Sequence, residues 1–286
     1  MKRKVLLITG ASSGFGRAIC EAAIAAGHTV IGTVRRDSDR ISFEAIDPKQ
    51  ARAVVLDVTD FGSIDGVVAS IVSEFGRIDA LVNNAGYGHE GVLEESPLEA
   101  MRHQFEVNVF GAVAMTKAVL PGMRERRSGH IINMSSMAGY VALPGIAYYA
   151  GSKFALEGIS GALAKEVEPF GIKVTAVAPG SFRTDWAGRS MIRSARSIAD
   201  YDASFDPIRK AREEKSGKQA GDPVRAAQAL LTLIDAEHPP VHLLLGNDAL
   251  TLVRGHLAEL EAQIDSWEPL TRSTDFTSSI SPPQEA

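Results

Sequence analysis

The sequence predicts an α/β protein: one doubly wound domain built on a seven-stranded parallel sheet. Three observations lead there. Short, almost wholly apolar runs alternate with longer segments whose apolar residues recur at helical spacing, which is how strands covered on both faces by helices read. No linker or internal repeat interrupts that alternation over 286 residues, a length ample for a buried core. Hydrophobic residues make up 45% of the chain and charged residues 23%, the balance of a soluble globular protein rather than a disordered one.

The elements follow in order. Residues 4–8 form a short apolar run ending in Thr9-Gly10, a buried strand. Residues 14–26 repeat Ala, Ile and Phe at helical spacing and stop at Gly27, a natural C-terminal glycine. Strands are expected at 28–34, 53–56 and 80–82, with a helix at 61–75 whose stripe is Ile64, Val67, Val68, Ile71 and Val72. A long helix should run over 97–126, opened by Pro97 with Ser96 as its cap, and kinked or ended at Pro121. A strand at 130–134, a helix at 146–170, strands at 173–177 and 241–245, and helices at 222–236 and 248–264 complete the pattern. Residues 185–221 read as a polar, irregular insertion long enough for a substrate lid. The catalytic domain is thus expected over 1–270, with a flexible tail over 271–286.

Thirty basic residues against 35 acidic ones give a formal charge of -5, so no nucleic-acid or anionic-membrane surface is expected. The single cysteine, Cys20, excludes an internal disulfide and a cysteine-built metal site. The basic start Met1-Lys2-Arg3-Lys4 is followed by an apolar run too short for a signal peptide, and no stretch has the roughly 20 apolar residues of a membrane helix. A cytoplasmic setting is expected.

Between the first strand and first helix stands Thr9-Gly10-Ala11-Ser12-Ser13-Gly14-Phe15-Gly16. Glycines permit a tight turn and let a phosphate approach the backbone, and the amides opening the next helix attract anions. A glycine turn alone can be purely structural; the strand–turn–helix context supports a phosphate cradle. The spacing is Thr-Gly-x-x-x-Gly-x-Gly rather than Gly-x-Gly-x-x-Gly.

That spacing resembles the short-chain dehydrogenase/reductase family. Further members of the family's ordered pattern follow: Asn83-Asn84-Ala85-Gly86, Asn108, Ser136, Tyr149-Ala150-Gly151-Ser152-Lys153 and Pro179-Gly180. The resemblance covers about residues 4–246. The stretch 243–249, with its trailing helix and Trp267, is similar to a bacterial branch near the 17β-hydroxysteroid dehydrogenases. The resemblance implies a Rossmann fold and a nicotinamide cofactor. It assigns Gly10, Ser12, Ser13, Gly14, Phe15 and Gly16 to the cofactor's phosphate turn. Asp57 and Val58 would meet adenine, with a strand-end cap as the alternative for Asp57. Asn84, Ala85 and Gly86 would line the cofactor. Pro179, Gly180, Phe182 and Thr184 would orient its nicotinamide end and diphosphate.

The end of the second strand bears on which nicotinamide cofactor binds, since an acid there suits a free ribose hydroxyl and an arginine a 2′-phosphate. Here Val34 stands at the acidic position, followed by Arg35, Arg36 and Asp37. A guanidinium can clamp a phosphate, so NADP(H) is preferred and NAD(H) stays possible. Arg35 is the better candidate and Arg36 the second; both could instead simply solvate a loop, and Asp37 could turn inward.

Reduction of a carbonyl needs a proton donor. Tyr149 and Lys153 are four residues apart, so a helix sets them on one face, where the ammonium would favour the phenolate. Tyr148 has only uncharged Ser152 at that offset. Ser136, thirteen residues before Tyr149, matches the family's serine ahead of its neighbour Ser135, and would hold the substrate oxygen. Asn108 would support a water relay to Lys153, or be a satisfied structural asparagine. Lys153 would also bind the nicotinamide ribose.

Candidate pocket residues are Met137, Tyr140, Leu143, Ile146, Tyr87, Gly88, His89, Trp186, Met191 and Ile192, with ordinary packing as the alternative. They suggest an apolar or amphipathic carbonyl or alcohol substrate. His89 reads as an exposed loop residue, and the charge run 209–218 as a solvated helix face. The expected protein is an oxidoreductase that forms a homodimer or homotetramer. The rivals are a cofactor-binding regulatory protein and another enzyme class on the same fold, such as an epimerase.

Overall fold

The computed structural model describes residues 3–184, 186, 188 and 190–276. The chain forms β1 (Val5–Ile8), α1 (Gly14–Ala25), β2 (Thr29–Val34), α2 (Asp37–Glu44), β3 (Ala51–Val55), α3 (Phe61–Phe75), β4 (Ala80–Asn83) and β5 (Gly88–Glu90). Next come α4 (Leu98–Phe105), a π-turn (Glu106–Phe110), α5 (Gly111–Glu125), β6 (Gly129–Met134), α6 (Ala147–Val167) and β7 (Ile172–Pro179). β8 (Met191–Arg193), α7 (Asp202–Lys215), α8 (Pro223–Asp235), β9 (His242–Leu245) and α9 (Asn247–Arg272) follow.

Seven strands make the expected parallel sheet, in the order β3-β2-β1-β4-β6-β7-β9. The inner strands β1 and β2 are buried at every position, whereas the edge strands β3 and β9 keep exposed positions. That is why the inner strands read as unbroken apolar runs. One face of the sheet packs under α1 and α8 through Ile19, Ala23, Leu230 and Ile234. The other packs under α3, α5 and α6 through Ile64, Val68, Met115, Val119 and Val167. Strand order reverses between β1 and β4, and such a switch point opens a crevice at the strands' carboxyl ends.

Five expectations are corrected. Residues 35–52, given no element, contain α2, whose Phe43 is buried against Gly32. Pro121 does not end its helix: α5 continues to Glu125 because Val119 and Met123, on either side, are both buried against the sheet. Within 97–126 the regular helix is instead interrupted at Asn108 by the π-turn, a widening by one residue. The insertion is not irregular, since β8 pairs in parallel with β5, and α7 is tied to them by the ion pairs Arg212–Glu90 and Arg193–Glu213. The last helix runs eight residues past its expected end at 264, so the tail expected from 271 starts inside it. Residues 277–286 lie outside the described residues, as do 185, 187 and 189 of the expected lid.

Candidate active site

A cavity of about 390 Å³ opens at the carboxyl ends of β1, β4, β6 and β7. Four stretches of predicted site residues converge on it: Ser13, Gly14 and Phe15; Asn84 and Gly86; Ser136, Tyr149 and Lys153; and Pro179, Gly180, Phe182 and Thr184. Its size suits a small molecule rather than a macromolecule.

The glycine turn has the geometry its composition demands. Gly10 and Gly14 adopt φ of 68° and 56°, values that side-chain-bearing residues rarely take. A Cβ on Gly16 would stand 2.2 Å from the Gly10 carbonyl oxygen. The turn is braced from β4: Asn84 Nδ2 donates to Thr9 O (2.9 Å) and Gly10 O (3.1 Å), while the amides of Asn84 and Ala85 donate to Thr9 Oγ1. Ser13 precedes α1 without its side chain capping the helix, so the first-turn amides, which have no intrahelical partner, are available to an anion. Phe15 meets Phe182 at 5.1 Å between ring centroids, tying this turn to the loop after β7. That loop is braced by α9, since Ser181 N donates to Asp248 Oδ2 (2.8 Å) and a Cβ on Gly180 would strike the same carboxylate.

The reacting end of the cavity is buried. Burial pushes the Tyr149 phenol up to about 12, against the pull of the Ser136 hydroxyl and the Trp186 indole. The indole acts from outside hydrogen-bond geometry: its rings lie 5.1 Å from the phenol and Nε1 has no hydrogen-bond partner among the described residues. Burial lowers Lys153 to about 8, while the Glu157 carboxylate works in the opposite direction. Lys153 Nζ donates to Met134 O (2.8 Å) and stands 5.6 Å from the Tyr149 ring centroid. Lys153, itself lowered by burial, is not among the groups that pull the phenol down here. Tyr148 is committed elsewhere, its hydroxyl donating to Ser96 O (2.8 Å).

Asn108 is buried but does not line the cavity. Its Nδ2 donates to Tyr87 O and Ser152 Oγ, and its Oδ1 accepts from Tyr87 N, each at 3.1 Å. Both amide hydrogens are committed, so the side chain braces Tyr87 and α6. Gly10, Ser12, Gly16 and Ala85 belong to the same turns but do not line the cavity, and Ser12 is exposed. Val58 is turned into the core against Gly111.

Arg35, Arg36 and Asp57 sit on an exposed shelf at the ends of β2 and β3. Arg36 donates from Nε and Nη2 to both oxygens of Asp39 (3.0 and 3.1 Å). Arg35 has no ion-pair partner among the described residues. Asp37 opens α2, faces Arg40 and does not turn inward. Partial burial would raise the Asp57 carboxyl, but hydrogen bonds from Thr59 N–H and Oγ1–H, with the charge of Arg35, hold it below its usual value. These bonds close a turn on Thr59 and do not cap the helix that opens after Asp60.

Of the pocket candidates, Met137, Leu143, Ile146, Tyr87 and Trp186 line the cavity; Tyr140, Gly88, His89, Met191 and Ile192 do not. His89 is not an exposed loop residue: it is buried in β5, stacks on Tyr148 at 5.0 Å, and meets Ser194 Oγ through Nε2 (3.0 Å). Desolvation holds its pKa below the ordinary histidine value. The charge run on α7 is solvated at Arg209–Glu213 and Lys210–Glu214. Arg212, in the same run, turns inward to the buried Glu90 (2.8 Å) and to Pro144 O (2.6 Å).

The family model for short chain dehydrogenases matches residues 4–193. The chain belongs to the short-chain dehydrogenase/reductase family. It is 40% identical over 248 residues to a 3-ketodihydrosphingosine reductase of Bacteroides thetaiotaomicron, covering 86% of this chain and 89% of that one. It is 35% identical over 227 residues to an NADPH-dependent 3-dehydrocapnine reductase of Ornithobacterium rhinotracheale, covering 77% and 80%. A crystal structure of a short-chain dehydrogenase from Streptomyces avermitilis superposes with a TM-score of 0.89 at 45% identity, covering 96% of this chain and all of that one.

In this short-chain dehydrogenase/reductase Arg212, Lys215 and Gln219 also line the cavity, and packing reveals a further buried group that the sequence does not show. Glu157, one turn after Lys153 on α6, is buried; its Oε2 accepts from the Tyr140 hydroxyl (2.8 Å) and meets His242 Nδ1 (2.7 Å). The i,i+4 offset from Lys153 was visible, but its partners come from β9 and from the turn after Ser136. Among the described residues no group of His, Cys, Asp and Glu is set to hold a metal, and no helix is long and apolar enough to cross a membrane.

Proposed function

We propose that this oxidoreductase interconverts a carbonyl compound and its secondary alcohol with NADP(H), using Tyr149 as general acid and base. The observation that carries the reading is the grouping of Ser136 with the buried Tyr149 and Lys153 in the wall of one cavity, which the glycine turn also lines. When bound, the nicotinamide supplies or takes the hydride. Tyr149, protonated through the neutral range, donates from Oη to the carbonyl oxygen. Ser136 Oγ donates to that same oxygen as charge develops. Lys153 restores a proton to Tyr149 and holds the cofactor's ribose. Asn108 acts by fixing Tyr87 and Ser152.

Several features fit the cofactor. Two left-handed glycines and a crowded third make a cradle that a Cβ would fill, with uncapped amides beside it. Ser12 and Gly16 shape that cradle, and Asp57 with Val58 marks the adenine end. Arg35 is the residue proposed to hold a 2′-phosphate, since Arg36 is already clamped by Asp39. The NADPH dependence of the 3-dehydrocapnine reductase relative points the same way. Residues from Arg212 to Gln219 reach the cavity from the insertion, supporting its role as a lid. Met137, Leu143, Ile146 and Trp186 favour an apolar or amphipathic substrate.

The test is consumption of NADPH, with NADH in parallel, against aliphatic, aromatic and steroid-like ketones. Turnover favouring NADPH is expected and should vanish in Tyr149→Phe. Tight NADPH binding with no turnover on any ketone would instead support a regulatory cofactor-binding protein.

A further inference from the structure

α9 leaves the body of the protein after its first two turns. Ala249 and Val253 are buried, but from Arg254 to Arg272 every residue except the half-buried His256 is exposed. About 28 Å of helix, at 1.5 Å per residue, therefore stands free of the other described residues. Its apolar residues are not scattered. Leu257, Leu260, Ile264 and Trp267 are 51, 43, 59 and 64% exposed. They continue the phase of Leu250 and Val253 at alternating spacings of three and four, the seam of a heptad repeat. A single helix in water gains nothing from such a seam; it is the pattern of a helix that buries one face against another.

We propose that the free part of α9 is a self-association surface on which the α9 helix of a second copy of this chain packs antiparallel. Charge on the helix selects this occupant. Asp248, Glu259, Glu261, Asp265 and Glu268 outnumber Arg254 and Arg272, so the helix is acidic and an anionic membrane surface would repel it. In the antiparallel register that stacks the seam, Leu257 meets the partner's Trp267 and Leu260 meets the partner's Ile264. Arg254 then flanks the partner's Glu268, and two-fold symmetry makes that pair twice. The one like-charge approach is Glu261 beside the partner's Glu261 near the axis. A parallel pairing would bring both globular bodies to one end, where helix axes 8–10 Å apart leave them no room. The proposal is independent of the reaction assigned above.

The experiment measures mass by sedimentation equilibrium on the full chain and on Leu260→Glu/Ile264→Glu. These side chains are exposed and remote from the cavity, so helical content and turnover serve as controls for folding. The expected result is that the variant has half the wild-type mass, with a dimer at twice the 30.5 kDa chain as the smallest wild-type species. Arg254→Glu alone should weaken association at least tenfold and Arg254→Glu/Glu268→Arg should restore it, since only the antiparallel register brings these positions together. Glu261→Gln should tighten it. A wild type that is monomeric, a variant of unchanged mass, or failure of the charge swap to rescue overturns the proposal. Flotation of the wild type but not the variant with phosphatidylserine-containing vesicles, at unchanged mass, overturns it in favour of a lipid surface.

Discussion

The cavity and the exposed shelf hold their charges differently. In the cavity Tyr149 and Lys153 are buried, and desolvation drives their pKa values in opposite directions, to about 12 and about 8. On the shelf Arg35 and Asp57 stand largely in water at the tips of β2 and β3. Both are built on the carboxyl edge of one sheet, so the difference comes from depth. Burial changes which protonation state is populated and so governs proton transfer. Exposure leaves a side chain charged but screened, so it can tune affinity for a charged ligand without touching the chemistry. Substitutions at the two places should therefore separate in kinetics.

The largest effect is expected from Tyr149→Phe. Loss of the proposed general acid should lower kcat by about 10³-fold, within the usual span for such groups, while NADPH affinity by fluorescence titration stays within about twofold. A comparable loss of cofactor affinity would erase the separation between cavity and shelf. Arg35→Ala should do the converse, raising KM for NADPH by about 10–100-fold, the value of a lost charge-assisted contact, with little change in kcat or in KM for NADH. Equal effects on the two cofactors would place the 2′-phosphate elsewhere.

A third expectation concerns pH. Lys153 loses its proton as pH rises through about 8, so kcat/KM for carbonyl reduction should be level below that pH and fall about tenfold per unit above it. Because burial lowers Lys153 from 10.5 in the unfolded chain, the unfolded state binds more protons between these values. Folding stability should accordingly gain from this group as pH rises from 8 toward 10.5, which denaturant titration can check. Glu157 opposes the lowering, so Glu157→Gln should move the falling limb of the rate profile to lower pH; an unmoved limb would make Glu157 merely structural. The smallest effect is expected from Arg36→Ala, under about twofold on either cofactor, because its guanidinium already faces Asp39 in water.

Much of the fold was legible in the sequence, for identifiable reasons. Inner strands such as β1 and β2 are apolar at every position because both faces are covered, and Gly27 and Gly76 mark helix ends by taking positive φ. The helix α2 was not legible, since only Phe43 of its eight residues is buried and its apolar stripe is too thin to read. The β5–β8 pair was missed because three-residue strands carry no periodicity and their pairing joins segments a hundred residues apart. His89 failed for the same reason: beside a glycine turn it reads as loop, and only Ser194 and Tyr148 show that it is core.

By itself the sequence determined the ordered set of glycines, Asn84, Ser136, Tyr149 and Lys153, since each is tied to a strand end or to a helical offset that local geometry enforces. It also separated Tyr149 from Tyr148, because an i,i+4 lysine is a local property of one helix. Tertiary structure decided everything that depends on neighbours remote in the chain. It set the burial that raises Tyr149 rather than ionising it, and the hydrogen bonds that make Asn108 a brace. It turned Arg212 inward to Glu90 and placed Glu157 between Tyr140 and His242. Desolvation and hydrogen bonding are sums over every atom nearby, and a one-dimensional pattern holds only those neighbours that lie within a turn or two of the same helix.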